Sequence, residues 1–476
     1  MPGHTARGGI GQREAVANVP TMSTTLLILG ASGDLTSRLL LPAVAQLLHR
    51  DPQLQLELHG AGTDPWDDDR WRDVVARAFD GADCTDDIDR VSSTRYTTAD
   101  VTDADDLAGL VRGVSGTLVV YFAVPPAVAA AACEALRGIE LPADTILVLE
   151  KPFGGDAEGA RRLNATLAEI VPESQVFRVD HFLGRSTLIN VLGVRFANRV
   201  VEPVWSAEHV ESVLVRYDES LALENRARYY DGAGALVDML QSHLLQVLAV
   251  LAMEPPATLG ERDLRDAKAA ALRATRLWGD DAAASSRRAR YTAGRIGDRE
   301  LPAYVDERGV DPSRGTETLA EIVCEVRTAR WRGVPFTLRS GKALGRKNTE
   351  IVVRFAPVRH LPDGFVGDVT DGGALRLSLG PDAMWLDLSV TGGDDPFALR
   401  RETLGLELGQ GSVLAYTEVL RQILERDAAL SVRADAAEEC WRIIEPVQQA
   451  WRCGEVPLEE YAAGSAGPTD WETSDS

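Results

Sequence analysis

At 476 residues the chain exceeds one simple core, because domains mostly run ~50–250 residues, so two domains are expected. Hydrophobic residues make up 45% and charged residues 26%, ordinary values for a globular chain. The formal charge of −22 argues against a binder of nucleic acid or anionic membrane, whose affinity comes from clustered Lys and Arg. An anionic substrate would therefore need a local cationic pocket inside an acidic shell.

Residues 1–23 hold no apolar core of a signal peptide and read as a disordered extension, with Met1 or Met22 as the start. Thr25-Leu26-Leu27-Ile28-Leu29 is a short apolar run ending in a glycine turn, the pattern of a buried parallel strand. A helical pattern follows over Leu39 to Leu48, then alternation over Leu54 to Leu58 suggests a second strand. Trp71 to Phe79 is amphipathic. Thr117 to Phe122 is another buried strand, followed by Val124-Pro125-Pro126 and an alanine-rich helix. Thr145 to Leu149 is a further strand, and it runs into Glu150-Lys151-Pro152-Phe153-Gly154. Strands alternating with helices predict a Rossmann-like, doubly wound parallel sheet over 24–179.

Beyond residue 180 the rhythm changes. Val213 to Tyr217, Ile351 to Phe355, Leu375 to Leu379 and Met384 to Val390 read as strands with few helices between them. A larger α+β domain with a mainly antiparallel sheet is expected over 180–463. Arg262 to Ala293 reads as solvated helix, and 464–476 as a frayed tail. The five cysteines (Cys84, Cys133, Cys324, Cys440, Cys453) form no C-x-x-C pair, which fits a reducing cytoplasm and offers no zinc spacing. No run of about 18 apolar residues stands out as a membrane span.

Three segments carry chemistry. Gly30-Ala31-Ser32-Gly33-Asp34-Leu35, between a strand and a helix, would place backbone N–H groups against a pyrophosphate. Taken alone it is weak, and Thr36 and Arg38 are as readily a polar helix face as phosphate contacts. Arg178-Val179-Asp180-His181-Phe182-Leu183-Gly184-Arg185 gathers an acid, an imidazole and a cation in eight residues. Gln241-Ser242-His243 lies in an apolar helical stretch, where a histidine is ordinarily a satisfied core residue. At the end of the second strand, Gly60-Ala61-Gly62-Thr63-Asp64 and Asp67-Asp68-Asp69 present acids and no cation for a 2′-phosphate, which leans towards NAD over NADP.

With these segments in order the chain resembles the glucose-6-phosphate dehydrogenase family over roughly residues 24–460. The further matches are Arg195-Phe196-Ala197-Asn198, Tyr229-Tyr230-Asp231 through to His243, and Val334-Pro335-Phe336-Thr337-Leu338-Arg339-Ser340-Gly341-Lys342. The resemblance implies that His243 is the general base on the sugar's C1 hydroxyl and that Asp180 orients it. It implies that Lys151 touches both sugar and cofactor, ahead of a Pro152 in a cis turn. Glu219 and Asp238 would accept from sugar hydroxyls, and His181, Phe182, Arg185, Lys342 and Lys347 would surround the substrate's anionic group. Gly30, Ser32, Gly33, Asp34, Leu35, Thr63, Asp64, Pro125 and Lys151 would line the NAD or NADP site. No metal is implied, and a homodimer or dimer of dimers is expected by resemblance.

Four positions depart from the family pattern: Phe182 for Tyr, Arg185 for Lys, Thr63 for an Arg that binds the 2′-phosphate, and Gly380 for a Gln of some members. Arg is wider and planar where Lys is compact. Oxidation of glucose 6-phosphate at C1 to the lactone, the first step of the pentose phosphate pathway, is the leading expectation. Two alternatives stand beside it: NAD-dependent oxidation of another 6-substituted glucose such as sulfoquinovose, and a non-catalytic regulatory paralogue.

Overall fold

The computed structural model describes residues 23–471 apart from 115, 185, 225–226, 368–370, 394 and 408–413, and without the side chains of 186, 227, 228 and 470. The expected N-terminal extension thus lies, but for Ser23, outside the described residues.

Six strands form the first sheet: β1 (Thr24–Leu29), β2 (Leu56–Gly62), β3 (Arg95–Thr98), β4 (Thr117–Phe122), β5 (Ile146–Glu150) and β6 (Val176–Val179). Their order is β3-β2-β1-β4-β5-β6 and every pair is parallel. Alternation along β1 divides the core. Leu26 and Ile28 pack with helices Leu41–Arg50 and Asp68–Gly81 on one face. Leu27 and Leu29 pack with Ala104–Val111, Pro126–Leu136 and Ala157–Ile170 on the other. This is the doubly wound arrangement the alternation implied, with strand order reversing between β1 and β4.

The second strand is placed differently from the expectation. It begins at Leu56 rather than Leu54 and continues through Gly60-Ala61-Gly62, the segment read as its end. Bare glycine suits the strand here because Gly60 lies against Ala31 and Trp71, where a Cβ would meet Ala31 Cβ at 2.8 Å.

The second sheet has ten strands, with order β17-β16-β15-β14-β7-β13-β12-β9-β18 and β8 paired to β12. They are β7 (Val210–Asp218), β8 (Thr275–Leu277), β9 (Ser286–Thr292), β12 (Leu319–Val326), β13 (Pro335–Gly341), β14 (Asn348–Phe355), β15 (Ala374–Leu379), β16 (Asp382–Thr391), β17 (Leu399–Glu407) and β18 (Leu458–Ala462). A separate hairpin is made by β10 (Gly294–Ile296) and β11 (Arg299–Leu301). Most pairs are antiparallel, but β7–β13 and β9–β18 run parallel.

Three expectations are corrected. The stretch from Arg262 to Ala293 is helix only over Glu261–Ala274, and then enters β8 and β9. That helix is not wholly solvated, since Arg265 and Lys268 are 2% exposed. The tail is not frayed over 464–471: Trp471 is buried, and Arg339 donates to the Ala466 carbonyl at 2.8 Å. Residues 472–476 lie outside the described residues. The helical stretch Tyr229–Ala252 is also long and apolar enough to cross a membrane by composition, with an 18-residue window of mean hydropathy 1.6, but 89% of that window is buried in the protein. It is the central helix of the core.

Chain order does not divide the packing cleanly. The helix Ala415–Leu424 folds back so that Tyr416, Leu420 and Ile423 join the core on the first sheet's β1 side. The helix Ala434–Arg452 likewise reaches the first domain, and Trp441 donates to the Phe153 carbonyl at 2.9 Å.

Candidate active site

Four segments singled out in the sequence leave the same, carboxyl-terminal edge of the parallel sheet. The glycine turn follows β1, Val124-Pro125 follows β4, Lys151 follows β5 and Asp180-His181 follows β6. Ligands of open α/β sheets bind along this edge, beside the point where strand order reverses.

Gly30 has φ +86°, and a Cβ there would meet the Ala123 carbonyl oxygen at 2.4 Å. The turn thus needs glycine both for its backbone angle and for the close passage of β4. The backbone N–H groups of Asp34 and Leu35 open the following helix and donate to no group among the described residues. Such orphan donors at a helix start suit the pyrophosphate of a dinucleotide. At the tip of β2, Thr63 and Asp64 are exposed, and Asp67 caps the helix Asp68–Gly81 by accepting from the Arg70 N–H at 2.9 Å. Asp68 accepts from the Tyr96 N–H at 2.8 Å, and the Arg70 guanidinium lies over the Trp66 ring, 4.6 Å from its centroid. The acidic run therefore has structural work of its own, and a cation stands close by in sequence.

The dyad is assembled from the end of the first sheet and a distant helical stretch. Asp180 leaves β6, while His243 projects from a wide-turned π-helical stretch, Leu236–Leu244, that continues a kinked helix. His243 Nδ1 and Asp180 Oδ1 are 2.5 Å apart and both side chains are 1% exposed. The same Oδ1 accepts from the Phe182 N–H at 2.9 Å. Burial would push the Asp180 carboxyl up, but His243, His181 and the Phe182 N–H outweigh it and hold the group at about 2. Burial depresses His243, and Lys151 adds to that, while Asp180 opposes it. At neutral pH the pair is carboxylate and neutral imidazole, which leaves Nε2 as the proton-accepting atom. Asp180, His181 and His243 also bring three donor atoms within 4.8 Å of one another.

The rings around His243 fix its orientation. Phe182 stacks on His243, and His181 meets it edge-on at 4.8 Å. Lys151, joined to Pro152 by a cis peptide, donates to Asp238 twice, to the carbonyl at 2.7 Å and to Oδ1 at 2.8 Å. Burial would lower the Lys151 pKa, but Asp238 chiefly restores it to above the ordinary lysine value. Asp238 is in turn influenced by Lys342, whose ammonium pairs with Glu219 at 2.7 Å and lies 5.2 Å from the Tyr230 ring centroid. Lys151, Asp238, Lys342 and Glu219 thus form an alternating charged row next to the dyad.

The expected anion cluster is only partly assembled. His181 and Phe182 stand beside the base. Arg185 lies outside the described residues. Lys342 is occupied by Glu219. Lys347 is exposed and lines a different, polar groove with Arg216, Arg346 and Arg376 over the second sheet. Pro125 is exposed at the start of the helix Pro126–Leu136, and Gly380 forms the turn between β15 and β16.

Two site neighbours escaped the sequence reading. Glu150, half-buried at the end of β5, accepts from Tyr121 at 2.5 Å and from Tyr416 at 3.2 Å, and desolvation of its carboxyl pushes it up to about 7. The Tyr416 ring stacks on His181 with centroids 5.9 Å apart. Tyr416 arrives on the distant helix Ala415–Leu424, so no spacing in the sequence connects it with His181.

Comparison with known proteins points one way. Residues 27–190 match the family model described as glucose-6-phosphate dehydrogenase, NAD binding domain, and residues 192–474 match the one for its C-terminal domain. The chain is 38% identical to the glucose-6-phosphate 1-dehydrogenase of Gluconobacter oxydans, with 93% of this chain and 94% of that protein covered. It is 33% identical to that of Zymomonas mobilis, covering 94% and 96%. Among solved structures, the glucose-6-phosphate 1-dehydrogenase of Mycobacterium avium superposes with a TM-score of 0.82 at 31% identity, covering 94% and 96%. A glucose-6-phosphate dehydrogenase in complex with its substrate also reaches 0.82, at 27% identity, covering 95% and 97%.

Proposed function

The chain belongs to the glucose-6-phosphate dehydrogenase family, and from that footing we propose how its own residues carry out the reaction. It oxidises glucose 6-phosphate at C1 to the 6-phospho-lactone with a nicotinamide cofactor, the first step of the pentose phosphate pathway. The observation that carries this reading is the buried Asp180–His243 pair at 2.5 Å. It sits among groups from the ends of the parallel strands that face a dinucleotide.

In our reading His243 Nε2 removes the C1 hydroxyl proton. Asp180 holds the ring by Nδ1 and stabilises the imidazolium that forms. Lys151 and Asp238 orient the sugar hydroxyls near C1, with Glu219 and Lys342 further along the row. His181 and Phe182 face the phosphate, and the family resemblance assigns Arg185 to it as well. Bound dinucleotide supplies the acceptor for the C1 hydride, and the protein's part is binding, orientation and electrostatics. The Gly30–Leu35 turn holds its pyrophosphate.

NAD is the cofactor we favour over NADP, on Thr63 and the acidic rim of β2. We assign the protein to the cytoplasm as a homodimer or dimer of dimers, in keeping with its five unpaired cysteines and its family. Residues 24–179 serve as the nucleotide-binding unit, and 180–463 bind sugar.

Steady-state assays crossing glucose 6-phosphate and sulfoquinovose with NAD and NADP test the reading. Glucose 6-phosphate should turn over fastest. Preferential turnover of the sulfonate would transfer the assignment to a sulfo-sugar dehydrogenase, and no turnover with any pair would favour the regulatory paralogue. His243→Asn should lower kcat by roughly 10²–10⁴ with sugar binding nearly intact, as for loss of a general base.

A further inference from the structure

Lys268 and Leu183 line one small void, and the Leu183 N–H donates to the Asp180 carbonyl at 3.0 Å. Lys268, on the helix Glu261–Ala274, is 2% exposed, and its Nζ has no hydrogen-bond partner among the described residues. Asp180 Oδ2 and Gln246 Oε1 are buried acceptors in the same condition. Gln246 lies one helical turn beyond His243, and its amide donates to Cys440 Sγ at 3.4 Å. The cations around Lys268 are already matched: Arg265 donates to Glu173 at 2.9 Å and Arg433 to Asp435 at 2.8 Å. The acids of its own helix are engaged elsewhere, Glu261 by Arg265, Asp266 by Arg433 and Asp263 by Thr258. The carboxylate acting on it most strongly is Asp180, with Cys440 adding to the same side and Arg265 and Arg433 opposing.

A buried ammonium is costly unless an opposite charge compensates it. The rest of its surroundings are apolar, with Leu183, Leu188, Val250, Leu264 and Leu430 lining a small void beside it. Burial pushes the amine down to about 8, so it is largely charged at neutral pH. Among the described residues one buried triple donor, on Lys268, and two buried acceptors, on Asp180 and Gln246, are thus without hydrogen-bond partners.

We propose that Lys268 is a positioning residue of the dehydrogenase: its ammonium compensates Asp180 from behind, keeps that carboxylate ionised, and limits the proton affinity of His243. This rests on His243 being the base. The groups facing His243 are Asp180, Lys151, Asp238 and His181, and Lys268 acts on it through Asp180. A cation behind the carboxylate weakens its pull on the imidazolium. Removing that cation therefore makes His243 more basic.

The test uses the full-length enzyme. In Lys268→Met the acid limb of the kcat–pH profile should move up by about one unit, the size expected when a nearby charge is lost. Lys268→Arg should keep the wild-type limb. A packing role alone would lower the melting temperature without moving the limb. Asp180→Asn leaves the lysine uncompensated, so D180N/K268M should melt above D180N, although K268M by itself melts below the wild type. An unmoved limb in folded K268M overturns the proposal, as does a double variant no more stable than D180N. Should K268M not accumulate as folded protein, the comparison of D180N with the double variant decides alone. That comparison needs no turnover, so a wild type inactive on every sugar would sink the proposed activity while leaving the coupling of Lys268 to Asp180 separately measurable.

Discussion

The ring of Phe182 lies face to face on the imidazole of His243, with centroids 4.1 Å apart and planes 15° apart. Tyr217 backs Phe182 from the other side at 5.0 Å. The imidazole is therefore clamped by a carboxylate at Nδ1 and an apolar face over its plane. Phe182→Ala should destabilise the protein by roughly 3–5 kcal/mol and lower kcat, because the imidazole loses its support. Phe182→Tyr restores the residue the family resemblance places here and adds a hydroxyl donor. It should lower KM for glucose 6-phosphate and leave kcat within about twofold. Steady-state kinetics and thermal melts check both, and an unchanged kcat in folded F182A would show that the stack does not orient the base.

Lys151 and Asp238 couple the end of the first sheet to the central helix through a half-hidden ion pair. Lys151→Met leaves the Asp238 carboxylate buried without its cation, which should cost roughly 3–5 kcal/mol of stability. Asp238→Asn in that background should recover part of the loss. The coupling from the double-mutant cycle should fall near 1–3 kcal/mol. Denaturant titrations of the four proteins measure it, and strict additivity would contradict the pairing.

The kink that aims the His243 segment depends on Gly234 and Glu317. Gly234 has φ +65°, and a Cβ there would meet Glu317 Oε1 at 2.2 Å. The same oxygen accepts from the Leu236 N–H at 2.9 Å. Burial pushes the Glu317 carboxyl from 4.5 up to about 7. The folded state then holds a proton that the unfolded chain has released across that window. Stability from this group is present at low pH and is lost as pH rises through about 7, for a total of roughly 3 kcal/mol. Glu150 acts in the same direction. His243, depressed by burial, acts oppositely below its ordinary value. Glu317→Gln should flatten the fall in melting temperature between about pH 5 and 8. An identical slope in E317Q would remove Glu317 from the linkage.

Cofactor choice is tested at the tip of β2. Thr63→Arg supplies a planar cation where a 2′-phosphate would sit, and should shift the NADP to NAD ratio of kcat/KM by roughly tenfold or more. Arg70→Ala distinguishes a hidden contribution. If the wild type already prefers NADP, R70A should erase that preference, and an unaffected ratio would exclude Arg70 from the phosphate.

Much of the site was legible because its parts sit at fixed points of a local pattern. An apolar run followed by Gly30, and another followed by Lys151, place their residues at strand ends whatever the remainder of the chain does. Asp180 and His243 were legible as a pair only through the family resemblance, since nothing local tells an apolar-helix histidine from a core one. The second sheet was less readable. β12 and β13 are buried strands near its centre, where uniform burial removes the alternation that marks a half-exposed strand.

By itself the sequence determined the parallel sheet and the glycine turn, because hydrophobic period and backbone permissiveness are local properties. Tertiary structure decided which charges meet. It buried Lys268 where the charge of Asp180 acts on it, set Tyr416 on His181, and placed Lys347 in a polar groove with Arg216 and Arg376. Coulomb and ring contacts depend on distance through space, and distant segments are brought together only once both sheets have closed on the central helix.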